Sequence, residues 1–161
     1  VGQKDYRESG VVMSQPQPPW IIPPTGTTTI RSDSWGDGRF GARRTKKTAL
    51  GTILYSHTGI DYFCIVGQQI VAPFDGEIIR IGQCYPYDTR FKLIEIQGNF
   101  CRGKILYVDP HSSSRRKVKQ GDLIGTAQDI GLRYDDKMLP HIHFEINAVD
   151  PGMFMECQEL L

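Results

Sequence analysis

Apolar residues in this chain come in short runs, spaced for strands and not for helices. They occupy residues 52–56 (TILYS), 68–74 (QQIVAPF), 76–82 (GEIIRIG), 91–98 (FKLIEIQG), 104–109 (KILYVD), 122–127 (DLIGTA) and 141–146 (HIHFEI). Gly, Pro, Asp or Asn separates the runs, and period-2 alternation passes through Lys92-Leu93-Ile94-Glu95-Ile96. No stretch sustains a helical period. The pattern predicts a mostly β, antiparallel domain, a sandwich or partly open barrel with long loops. Residues 32–44 (SDSWGDGRFGARR) read as a glycine-rich turn region. Residues 111–122 (HSSSRRKVKQGD) read as a polar loop returning to a strand.

Residues 1–29 differ from the rest. Residues 14–29 hold five of the ten prolines. Proline fixes φ and removes a backbone donor, so residues 1–29 read as an extended, polyproline-like tail before a domain at 30–161. Trp20, Ile21 and Ile22 are apolar enough to dock on a partner or on the domain itself.

Composition narrows the classes. A chain of 161 residues with 39% hydrophobic and 23% charged residues can bury a core without metal or disulfides. A net charge of +1 gives no global field toward nucleic acid. No apolar run is long enough to span a bilayer. The chain begins with Val and carries no recognisable signal peptide, which reads as a processed product or a trimmed segment. Cys64, Cys84, Cys101 and Cys157 form no CxxC pair, which argues against a cysteine-only zinc site. The even count permits two disulfides; four free thiols are the alternative.

Two basic runs, residues 43–47 (RRTKK) and 112–119 (SSSRRKVK), read as solvated loops. If both fold to one face, an acidic glycan or protein partner follows. No glycine loop has nucleotide-binding spacing, and no strand-turn-helix elbow surrounds Ser56 beside His57. Tyr85, Tyr87 and Phe91 are candidates for a groove rim or for ordinary packing.

Two of the four histidines sit at i and i+2. His141 and His143 in a strand project to one side. His57 and Asp61 are four apart, with Gly59 between them allowing a close backbone approach. Histidine, aspartate and histidine plus a water make an open zinc site. Glu145 is available to hold the second nitrogen of a ligand histidine.

The order of these elements, SHTGIDYFCIVGQQIVAPFDGEIIRIG, then VKQGDLIG, then HIHFEI, resembles the lysostaphin-like zinc endopeptidases. RFGARR (residues 39–44) resembles that family's FGxR element. Within the superfamily the likeness is greater to the vertebrate leukocyte cell-derived chemotaxins, including their myeloid granule relatives, over roughly residues 29–152. The resemblance implies the duplicated-hybrid-motif type of β fold, a zinc ion on His57, Asp61 and His143, and His141 at the catalytic histidine's place.

The peptidases carry a further histidine in a Y-x-H motif. Here the strand reads LYVDP, and Asp109 takes that slot. An aspartate there would repel a developing oxyanion. His111, two residues on, could swing in to replace it, though an exposed loop role is the expectation. The chemotaxins also lack the histidine and look like inactive relatives. Their usual disulfide partners are absent here, which leaves Cys84–Cys101 or Cys101–Cys157 as rewired pairs. The resemblance implies a non-enzymatic zinc-binding protein, cytokine-like and secreted, acting on a protein partner or receptor. The alternatives are an active metallo-endopeptidase on glycine-rich peptide or peptidoglycan, and a subunit of a larger, intracellular assembly.

Overall fold

The computed structural model describes residues 21–112 and 115–149, so Trp20, Cys157 and most of the proline-rich tail lie outside the described residues. The strands are β1 (Ser32–Asp33), β2 (Gly36–Asp37), β3 (Arg43–Thr48), β4 (Gly51–Ser56), β5 (Ile60–Phe63), β6 (Gln69–Val71) and β7 (Gly76–Tyr85). They continue as β8 (Asp88–Gln97), β9 (Cys101–Leu106), β10 (Val108–Pro110), β11 (Arg116–Val118), β12 (Leu123–Ala127) and β13 (His141–Val149). Among the described residues one 3-10 turn, Ile130–Leu132, interrupts them, its Gly131 amide donating to the Asp129 carboxylate.

All pairings among the described residues are antiparallel. Six strands form the main sheet in the order β11-β7-β8-β9-β13-β5, and β10-β12-β6 form a second. The two meet over the main core, and neither closes on itself, so the mostly β, open-sandwich expectation holds. Register explains the core. Ile94, Ile105 and Phe144 lie directly opposite one another on β8, β9 and β13 and point one way. They meet Ile70, Val108 and Ile124 of the second sheet, every one of them buried. Each such side chain stabilises by about 1.5–3 kcal/mol. A smaller cluster of Phe91, Ile130 and Met138 lies apart, with Tyr85 and Tyr107 packed on it. Phe91 is thus a core residue, and Tyr87 is fully exposed at the β7–β8 turn, so neither forms a groove rim.

Several polar segments expected as loops are strands. Residues 43–47 form β3, residues 32–37 form the β1–β2 hairpin, and β11 lies within the expected loop 111–122. Most of their residues are not buried, so no alternation marks them. The run at 104–109 is two strands, not one. Tyr107 has φ 68°, a conformation rare for an aromatic residue. It breaks the run, leaving β9 in the main sheet and sending β10 into the second.

The tail's last residues run along the domain. The Ile22 amide donates to Pro73 O (3.0 Å), and the Pro24 carbonyl accepts from Val71 (2.9 Å). Ile22 is half-buried and Ile21 exposed. The two basic runs lie toward opposite edges of the main sheet. β11 is one edge of the main sheet, whereas β3 leads from residues bonded to His57, beside β5 at the other edge. A Cys84–Cys101 bridge does not form either, and Cys64, Cys84 and Cys101 are free thiols. Cys84 lies near Lys92 and Cys101 near Gly98. Six residues of strand separate those levels, about 20 Å, beyond any disulfide.

Candidate metal centre

The site occupies the face of the main sheet opposite its core. Alternation turns Ile142 and Phe144 inward and His141 and His143 outward. β5 pairs with β13 so that Asp61 lies directly across from His143, which puts their Cβ atoms about 5 Å apart. His57 comes from the turn before β5. Its amide donates to Ala42 O and its carbonyl accepts from Gly41, both at 2.9 Å. Gly59 is required in this turn: a Cβ there would lie 2.8 Å from His143 Nε2 and strike the Phe144 carbonyl.

Three atoms converge. His57 Nε2 lies 2.9 Å from His143 Nδ1 and 3.1 Å from Asp61 Oδ1, and His143 Nδ1 lies 2.8 Å from Asp61 Oδ1. Tetrahedral zinc ligands at their usual bond lengths are about 3.3 Å apart, so one ion fits with small adjustment. Each histidine has an acceptor on its other nitrogen: Arg39 O on His57 Nδ1 (2.9 Å), and Glu145 Oε1 on His143 Nε2 (2.8 Å). When those nitrogens donate, two ring lone pairs and a carboxylate oxygen face one point with no proton between them. That donor set suits a dication. His57, Asp61 and His143 are thus a candidate metal-coordinating cluster, all three buried. Glu145 takes the second-nitrogen role expected of it, and is itself held by Lys104 Nζ (2.6 Å) and Thr58 Oγ1 (2.7 Å).

The outer oxygen of Asp61 is also committed. Oδ2 accepts from Arg31 Nη2 (3.0 Å) and Nε (3.3 Å), and from Arg44 Nη2 (3.3 Å). Arg31 is only 3% exposed and also holds Asp33. Asp33 Oδ2 accepts from the Leu139 amide (2.9 Å), two residues before His141. A chain of charges thus ties the 31–33 segment, the carboxylate and the entrance to β13 together. Burial would raise the pKa of Asp61, but hydrogen bonds with His143 and His57 outweigh it and keep the group ionised well below the usual carboxylate range. For His143, burial opposes charge, yet Asp61 and Glu145 raise its pKa overall. Burial likewise works against the charge on Glu145, but bonds to His143, Lys104 and Thr58 bring it down to about 2.

His141 stands beside the cluster, its Nε2 3.9 Å from Asp61 Oδ1. Its Nδ1 donates to Leu139 O (2.7 Å), and burial pushes its pKa down to about 4, so the ring is neutral with Nε2 free. A cavity of about 420 Å³ opens over these groups, walled by Arg31, Arg44, Trp35, Tyr55, Tyr107 and Tyr134 among others. The Tyr107 hydroxyl bonds to that of Tyr85 (3.0 Å), which bonds to that of Tyr134 (3.2 Å).

Asp109 and His111 are not in the cavity wall. The Asp109 carboxylate is 60% exposed and pairs with Lys92 Nζ at 3.3 Å. His111 is exposed after β10, its amide bonded to Ile124 O, and does not line the cavity. The cause is the Tyr107 backbone, which puts that ring into the cavity and takes the following residues into the second sheet. Sequence reasoning missed Arg31, Arg44, Trp35, Tyr107 and Tyr134. Only Arg44 had a signal, in the FGARR element, and there nothing distinguished it from Arg43.

The profile of peptidase family M23 matches residues 55–152. The chain belongs to peptidase family M23. Among relatives of this M23 chain, leukocyte cell-derived chemotaxin-2 of Mus musculus is 29% identical over 144 residues, covering 85% of this chain and 87% of that protein. The Bos taurus chemotaxin-2 is 30% identical over 145 residues, with the same shares covered. The M23 chain also resembles the crystal structure of Helicobacter pylori Csd3, with a TM-score of 0.52 and 23% identity. That match covers 84% of this chain and 33% of Csd3, and shows a shared fold.

Proposed function

We propose that this M23 protein holds a zinc ion on His57, Asp61 and His143 and acts by binding another protein, without cleaving one. The observation that carries this is the exterior position of Asp109. The slot that the resemblance assigns to a second catalytic histidine holds a carboxylate turned to Lys92, outside the cavity. His141 is then the one histidine beside the cluster that is free to serve chemistry. Zinc would supply a Lewis acid and a more acidic water when bound. The chain's own residues would supply the cage: Arg39 O and Glu145 orient the rings, and Arg31 and Arg44 hold the carboxylate. In the absence of a second proton donor the ion's role is structural, pinning the His57 turn to β5 and β13. The name of the mouse and cattle relatives, leukocyte cell-derived chemotaxin-2, supports a chemotactic signalling role.

A second reading, an active metallo-endopeptidase, is favoured by the cavity over the cluster and the free His141 Nε2. Here the Tyr107 hydroxyl would stand in for the missing donor. Zinc-loaded protein incubated with oligoglycine peptides and with peptidoglycan separates the two. Intact substrates, with stoichiometric zinc lost in His143→Ala, are expected. Zinc-dependent cleavage abolished in His141→Ala would replace the first reading by the second.

A further inference from the structure

Among the described residues the β3–β4 hairpin pairs only with itself, and eleven of its twelve strand residues are exposed. A lone two-stranded hairpin is marginal in water. This one nevertheless presents a wholly exposed Leu50 at its turn, with Leu54 63%, Ile53 49% and Tyr55 48% exposed. Register sorts the side chains. Lys46 opposes Ile53 and Arg44 opposes Tyr55 on one face; Thr45 opposes Leu54 and Lys47 opposes Thr52 on the other. Apolar and basic side chains therefore occur on both faces at similar heights. From Gly38 to Ile60 the chain has five Lys or Arg and no Asp or Glu.

This pattern selects the occupant. A protein docked on a hairpin covers one face or extends one edge. Here apolar residues surround a bare apolar tip, and only a medium entered end-on covers both faces together. The absence of acids, with cations around the apolar residues, calls for a negative surface. We infer that the hairpin inserts its tip into an anionic lipid surface. Leu50, Ile53 and Leu54 enter the acyl boundary, and Lys46 and Lys47 reach back along their stems to the head groups. Tyr55 sits where an aromatic ring with a polar end belongs, at the interface. From Gly51 to Tyr55 the strand spans about 13 Å, against an interfacial depth of about 5–10 Å, so the tip is immersed while the base stays in the head groups. The protein lies on the surface and does not span it. Arg43, Arg44, Thr45 and Tyr55 also wall the metal-site cavity, so docking brings that cavity to the lipid. The inference stands whether or not zinc is bound.

The test is co-sedimentation of the whole chain with vesicles of phosphatidylcholine alone and of phosphatidylcholine with phosphatidylserine. A Leu50→Trp variant adds a fluorescence readout. Binding is expected only to the anionic vesicles, with a blue shift of the new tryptophan. Partitioning should fall at least about tenfold in Lys46→Glu/Lys47→Glu and comparably in Leu50→Asp/Leu54→Asp. These side chains are solvent-facing, so unchanged thermal melts will show that the variants fold. Failure to bind anionic vesicles overturns the inference. So does binding that survives Leu50→Asp/Leu54→Asp, which would mean surface adhesion without insertion. Self-association in sedimentation velocity, abolished by Leu54→Asp and without vesicle binding, would make the hairpin an interface between copies.

Discussion

Asp61 is tied to more than the metal, and its replacement by Asn tests this. The residue is 3% exposed, and its outer oxygen lies 3.0 Å from a guanidinium nitrogen of Arg31, itself 3% exposed. Arg44 adds a third contact to that oxygen at 3.3 Å. Asparagine keeps the shape and one acceptor but removes the charge, leaving Arg31 to share Asp33 alone. Removing one partner of a buried ion pair costs about 3–5 kcal/mol. Asp33 still faces Arg31, so the lower end, about 3 kcal/mol, is expected. The assay is urea unfolding with a chelator present throughout, which takes zinc affinity out of the comparison. Arg31→Met and the double variant complete a cycle, in which a coupling of at least about 1 kcal/mol should appear. If Asp61→Asn unfolds within about 0.5 kcal/mol of the parent in chelator, a range typical of surface changes, the clamp has no energetic content and Asp61 is a ligand only. An additive cycle would refute the Arg31 contact in particular.

Other outcomes follow from the same geometry. Burial holds His141 at about 4 in the fold, below the unfolded value of 6.5, so its contribution is complete above pH 6.5 and is lost as pH falls toward 4. In chelator, His141→Gln should flatten the stability profile across that window, and an unchanged slope would count against a buried neutral ring. His143 acts oppositely, its raised pKa stabilising at low pH and fading as pH rises through the folded value. Keeping His143 in both proteins isolates His141. Gly59→Ala should push His143 out of line, lowering zinc retention and costing about 1–3 kcal/mol; full zinc occupancy by elemental analysis would contradict the close approach. Burial raises the thiols of Cys64 to about 12 and Cys84 to about 11. A disulfide reagent at pH 8 should label both only in urea, and peptide mapping that finds Cys64 labelled in the native protein would refute that burial.

The candidate metal cluster was legible because its parts obey local geometry. An i, i+2 pair in a strand shares a face whatever the rest of the fold, and HIHFEI alternates cleanly enough to be read as a strand. That Asp61 would lie across from His143 was not legible, since strand order is set by long-range pairing that no local period encodes. The Arg31 clamp was hidden for a related reason. Arg31 precedes a two-residue strand in a turn-rich segment, and its partners lie at positions 33, 61 and 138. The exposed strands β3 and β11 were missed because a period-2 signal needs one buried face, and β3 has none while β11 buries only Val118.

Tyr107 joins the fold to the question of activity. In an unbroken strand, residues 107 and 109 would share the inward face of Ile105, which pairs with the inward-facing Phe144. The positive φ at Tyr107 separates them, turning the ring into the cavity while the carboxylate goes out to Lys92. A histidine placed at 109 would meet that same outward geometry. Restoring the family's residue by Asp109→His is therefore expected to leave oligoglycine uncleaved. Cleavage by the single variant would show that the side chain alone, and not the course of the strand, keeps this site silent.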